Sequence, residues 1–104
     1  MSTRKRRYGI GNLEHRLGKL TIGEFLRSWR ETEELSLKEF GKLLGMSTSN
    51  LCDIEKGRKG VSPEKANKIA EVLRVPPPLL IRLSIEGSLR AAGLNYEVEV
   101  KPAA

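Results

Sequence analysis

From Thr21 to Gly93 the apolar residues of this chain recur every three or four positions, and the rhythm is broken by runs of capping and turn residues. That pattern predicts five short helices, over 22–32, 37–44, 48–56, 63–73 and 77–90. Thr21 opens the first, with Glu24 as its capping-box partner and Ile22, Phe25, Leu26 and Trp29 as its inner stripe. Ser36 and Glu39 form a second capping box ahead of Leu37, Phe40, Leu43 and Leu44, and Gly45 supplies the left-handed residue that ends that helix. Ser47 caps the third, which turns Leu51 and Ile54 inward and closes at Gly57. Ser62-Pro63-Glu64 opens the fourth, whose core side is Ala66, Ile69, Ala70 and Leu73. Pro76-Pro77-Pro78 then breaks the chain, and the fifth helix runs through Leu79, Leu80 and Leu83 until Gly93 stops it. The last segment, Leu94 to Lys101, alternates apolar and polar residues and predicts a short β-strand. The expected core holds Phe25, Trp29, Phe40, Leu44, Leu51, Ile54, Ile69 and Leu73.

Residues 36–57 carry the most information, because two short helices joined by a glycine turn form the layout of a DNA-reading helix-turn-helix. The outward positions of the second helix are Thr48, Ser49, Asn50 and Asp53. A helix turned only toward water usually carries long charged side chains there, whereas short hydrogen-bonding groups suit close approach to base edges. Short polar residues also favour the first turn of any helix, so the reading rests on the whole motif.

Residues 21–83 resemble the Cro/phage-repressor type of helix-turn-helix domain, the XRE family. The residues that carry the resemblance are Leu35-Ser36, Glu39-Phe40, Leu44-Gly45-Met46-Ser47, Leu51 and Ile54-Glu55-Lys56-Gly57-Arg58, followed by Ser62-Pro63, Ile69-Ala70, Leu73 and Val75. The resemblance implies an all-α fold: a compact five-helix domain with the helix from Ser47 as the reader. The chain departs from the family pattern at four places. Leu37 and Thr48 stand where glutamine is common, Asp53 where a basic residue is frequent, and Gly41 where alanine is usual, so base contacts do not transfer position by position.

Charge adds a second feature. The net charge is +6, and residues 1–19 hold six basic residues against one acidic, which leaves the remainder nearly neutral. Residues 1–20 thus read as a flexible basic arm, ahead of a DNA-binding domain at 21–83 and an extension at 84–104 for dimerisation or partner binding. As a DNA arm it would lay Arg4, Arg6 and Arg7 along phosphates or in a narrow minor groove; as a partner arm it would anchor through Tyr8, Ile10, Leu13 and Leu17. A solvated tail is the third reading. Cys52 is the single cysteine, which excludes an intrachain disulfide, fits a reducing cytosol and reads as packing. Neither a secretory signal nor a membrane-length apolar run is evident, so a cytoplasmic protein is expected.

The candidate DNA contacts are Ser47, Thr48, Ser49 and Asn50 at the start of the reader helix, then Asp53 and Lys56, Arg58 and Lys59 beyond it, with Lys38 on the preceding helix and Arg4, Arg6 and Arg7 in the arm. Asn50 can bond adenine N6 and N7 together; Asp53 can accept from cytosine N4 or partner Lys56 at helical spacing. Arg58 and Lys59 sit where phosphates would pass. Enzymatic chemistry finds little support. The single histidine, His15, has no nucleophile partner, metal-ligand spacing is absent, and Gly9-Ile10-Gly11 lacks the third glycine of a dinucleotide fingerprint. No cofactor and no metal are expected. RNA binding is disfavoured because Phe25, Phe40 and Trp29 fall on core stripes, leaving Tyr8 and Tyr96 for stacking.

Two function classes stand. One is a dimeric, sequence-specific repressor bound to double-stranded operator DNA, joined through the fifth helix (Leu79, Leu80, Ile81, Leu83, Ile85) and the C-terminal strand. The other is an antitoxin that neutralises a cognate toxin protein while autoregulating its operon. No membrane partner is expected in either case.

Overall fold

The computed structural model describes residues 20–103. It contains five helices: α1 (Ile22–Thr32), α2 (Leu37–Leu44), α3 (Thr48–Glu55), α4 (Pro63–Leu73) and α5 (Pro77–Ala91). The helix starts match the capping signals. Thr21 Oγ1 accepts the Glu24 N–H at 3.0 Å while Glu24 Oε1 accepts the Thr21 N–H at 2.9 Å. The Ser36–Glu39 box closes in the same way, at 3.0 and 2.8 Å. Ser47 and Ser62 each accept one amide of their helix, from Asn50 and Lys65. Each cap satisfies donors that the first turn of a helix otherwise leaves bare.

The contacts divide the chain in sequence between Lys59 and Gly60 into two units. In the first, α3 packs against both α1 and α2. Phe25, Leu26, Phe40 and Leu51 are fully buried, with Ile54 and Trp29 close behind. The Trp29 and Phe40 rings stack at 5.4 Å between centroids and 15° between planes, which joins α1 to α2. The expected stripe on α2 is narrower than its spacing suggests: Leu44 and Leu37 are half-buried and Leu43 is 47% exposed. An eight-residue helix presents little more than two turns, and Phe40 fills most of its inner face. Leu20, counted with the arm on sequence grounds, is buried and belongs to the folded part.

In the second unit α4 packs against α5 through Ala66, Ile69, Ala70, Leu73, Leu80 and Leu83, all buried. Residues 94–103 carry no regular structure, so the expected C-terminal strand is absent among the described residues. A strand needs a neighbour to pair its backbone, and none lies there. Instead the Val98 N–H donates to Glu86 Oε2 at 3.0 Å, and Glu86 also accepts from Arg82 one turn back. The alternation does not become a common buried face either: Leu94 and Tyr96 stay exposed while Val98 and Val100 are half-buried. The arm residues Arg4, Arg6, Arg7, Tyr8, Ile10, Leu13 and Leu17 lie outside the described residues.

Two substitutions test this packing. Trp29→Ala removes a buried aromatic that joins two helices and is expected to lower stability by about 3–5 kcal/mol in denaturant melts; a near-neutral result would discredit the core described above. Gly23, in the first turn of α1, faces the backbone of α3 so closely that an added Cβ would overlap the Ile54 carbonyl oxygen and sit 3.0 Å from that of Glu55. Gly23→Ala is therefore expected to destabilise by roughly 1–3 kcal/mol, although alanine is the better helix former. A stabilised Gly23→Ala protein would show that α1 and α3 do not meet there.

Candidate nucleic-acid interface

The turn between α2 and α3 is built from Gly45, Met46 and Ser47. Gly45 sits in the left-handed region at φ 71°, and the Met46 N–H donates back to the Gly41 carbonyl at 2.8 Å. Gly41 is required by this closure, since a Cβ there would come within 2.8 Å of the Met46 carbonyl oxygen. Glycine at this position thus has a local cause: the turn is folded hard against the end of α2.

Beyond the turn, α3 places Leu51 and Ile54 in the core and leaves Thr48 and Ser49 exposed. Asn50 and Asp53 are half-buried. The Ser47 hydroxyl is exposed but engaged, accepting the Asn50 N–H at 3.0 Å. The Asn50 amide donates weakly to Met46 Sδ at 3.9 Å, a contact that orients it at little cost to a stronger partner. Cys52 is half-buried, in keeping with packing.

The far end of α3 turns back on itself. Gly57 takes φ 79°, and the amides of Arg58 and Lys59 both donate to the Asp53 carbonyl, at 2.9 and 3.3 Å. That reversal brings Arg58 Nη1 to 3.4 Å from Asp53 Oδ1. Asp53 therefore partners Arg58 rather than Lys56, because the chain reversal places the later residue beside it. Lys56, Lys59 and, on α2, Lys38 are exposed. The first turn of α3 thus gathers Ser47, Thr48, Ser49 and Asn50, and its last turn gathers Asp53, Arg58 and Lys59; Arg4, Arg6 and Arg7 lie outside the described residues.

The first fixture of α3 carries no local signal in the sequence. Arg30 on α1 donates from Nε to Glu55 Oε2 at 2.8 Å and from Nη2 to Oε1 at 3.0 Å, a bidentate pair with only 15% and 5% of the two side chains exposed. Its remaining nitrogen, Nη1, donates to the Leu35 carbonyl at 3.0 Å. The hydrogen bonds to Glu55 push the Arg30 pKa further up against the opposing effect of burial, so the guanidinium stays charged. Removing one member of a buried pair strands the other, at a cost of about 3–5 kcal/mol. Gly23 is the second fixture, and its signal was present: a glycine inside a helical pattern costs about 1 kcal/mol and usually has a packing reason.

Among the described residues no cluster of His, Cys, Asp or Glu could hold a metal ion, and no helix is long and apolar enough to cross a membrane. The sequence profile of a family described as "Helix-turn-helix domain" matches residues 21–83. The chain is 33% identical over 79 residues to the HTH-type transcriptional repressor RghR of Bacillus subtilis, covering 75% of this chain and 53% of that protein. It is 36% identical over 58 residues to uncharacterized HTH-type transcriptional regulators from two strains of Mycobacterium tuberculosis, covering 56% of this chain and 41% of each. The chain therefore spans about half or less of the length of these relatives. No solved structure gives a significant match. With two capped helices folded about the Gly45 turn, and a family match over more than half its length, this chain belongs to the helix-turn-helix domain family.

Proposed function

We propose that the chain is a sequence-specific, double-stranded DNA-binding transcriptional regulator that acts as a dimeric repressor and reads the major groove with α3. The observation that carries this reading is the first turn of α3, where Thr48 and Ser49 are exposed and Asn50 is oriented beside them on a helix fixed from behind by Arg30 and Gly23. A reading helix needs both properties. Short donors and acceptors must reach base edges, and the helix that bears them must hold its angle in the groove. The repressor and regulator names of the relatives agree with it.

Within this reading Ser47, Thr48, Ser49 and Asn50 face base edges and flanking phosphates, while Lys38, Lys56, Arg58 and Lys59 meet the sugar-phosphate backbone. Two-fold pairing through α5, which keeps Leu79, Ile81 and Ile85 half-buried, would set two copies of α3 one DNA turn apart, about 34 Å.

Gel shifts on the promoter of the chain's own gene, against a random duplex of equal length, test the proposal. Asn50→Ala is expected to lose about 1–3 kcal/mol on the promoter and little on random DNA. Arg58→Ala is expected to weaken promoter binding, with a smaller loss on random DNA, and to make the salt dependence on the promoter shallower by up to about one unit. Equal losses on both duplexes for Asn50→Ala would remove it from base reading. Failure of the unaltered protein to prefer its promoter at any salt concentration would refute specific recognition.

A further inference from the structure

We infer that Asp53 governs how strongly the chain depends on base contacts, by holding Arg58 away from phosphates and so keeping affinity for unrelated DNA low; this deepens the DNA-reading proposal and rests on it. Asp53 lies one helical turn after Asn50 and Ser49, on the outward side of α3, where a bare carboxylate would repel a phosphate backbone. It is not bare. Asp53 Oδ1 lies 3.4 Å from Arg58 Nη1, and the carbonyl of the same residue holds the amides of Arg58 and Lys59. One residue thus fixes both the path of the basic loop and the charge of its first side chain.

The partition of exposure fits such a role. The Arg58 side chain is 64% exposed and the Asp53 side chain 33%, so the arginine can leave the pair while the acid stays on the helix. An exposed pair of this kind is weak, about 0–1 kcal/mol, which a well-placed phosphate can match. On unrelated DNA, where α3 does not seat, Arg58 remains with Asp53 and contributes little. On a matching site, the seated helix brings a phosphate to Arg58, and Asp53 is left to face the groove. Beyond residue 19 the charge is nearly balanced, so one arginine is a large fraction of the net charge that residues 20–104 carry.

The test uses four full-length proteins: unaltered, Asp53→Asn, Arg58→Ala and the double variant, each first checked by thermal melting. Anisotropy titrations on the promoter and on random duplex run across a salt series. Asp53→Asn is expected to bind random duplex up to roughly fivefold tighter at 0.1 M salt, with the salt dependence steeper by about 0.9, the signature of one added phosphate contact. The double variant is expected to lose that gain. A gain that survives without Arg58 would reduce Asp53 to simple repulsion and overturn the inference. Weaker promoter binding with unchanged random binding for Asp53→Asn would make Asp53 a base reader and overturn it too. Absence of DNA binding by all four proteins would instead overturn the DNA reading beneath it.

Discussion

A single guanidinium, that of Arg30, joins three pieces of chain, the farthest of them 25 residues away in sequence. It takes both carboxylate oxygens of Glu55 at the end of α3 and the carbonyl of Leu35 before α2, while its own backbone belongs to α1. Planarity is what makes this possible, since a fork of fixed N–H directions can serve a carboxylate and a carbonyl at once, whereas an ammonium offers one point of charge. The consequence is geometric. Leu51 and Ile54 alone would hold α3 against the core but leave it some freedom to roll about its axis, because apolar contacts are non-directional. A bidentate pair at one end and the close approach of Gly23 beside it remove that freedom.

The electrostatic character of the folded part follows from where the basic residues went. Arg30 is consumed inside, Arg27 pairs with Glu31 and Arg82 with Glu86 along their own helices, and Arg58 leans on Asp53. Between Leu20 and Lys59 seven basic residues meet seven acidic ones, so the strongly basic total of the protein is not carried by this segment. Under the proposed function, recognition would then depend on shape and on hydrogen-bond placement around α3 more than on a sheet of positive charge.

Local signals made the helices legible in the sequence. A capping box spans three residues, a glycine stop is one residue, and a proline at a helix start needs no distant partner, so Thr21, Ser36, Gly45 and Pro63 each announce structure by themselves. The helix that starts at Thr48 is legible for the same reason, through its Ser47 cap. What the pattern could not carry is pairing at long range: Arg30 and Glu55 lie 25 residues apart, and neither stands out by type. The Asp53–Arg58 contact depends on a chain reversal at Gly57 that spacing along a straight helix cannot anticipate. The C-terminal segment misleads in the other direction, since strict alternation states a preference but not a neighbour, and Glu86 captures the one amide at Val98. Gly41 stands out by type in the sequence, but its reason lies in the Met46 carbonyl across the turn.

The way each helix begins has a last consequence. Aligned peptide dipoles give every helix start a partial positive charge of about half a unit. In α1 and α2 that charge is met by the chain's own acids, Glu24 and Glu39, folded into their capping boxes. In α4 it meets Glu64 beside a proline, and α5 opens on two prolines that have no N–H to offer. The start of α3 alone among the five has neither an acid nor a proline in its first turn. Its field is left without a countercharge at the same turn that exposes Thr48 and Ser49, so the backbone of α3 adds a partial positive charge there that no side chain of that turn supplies.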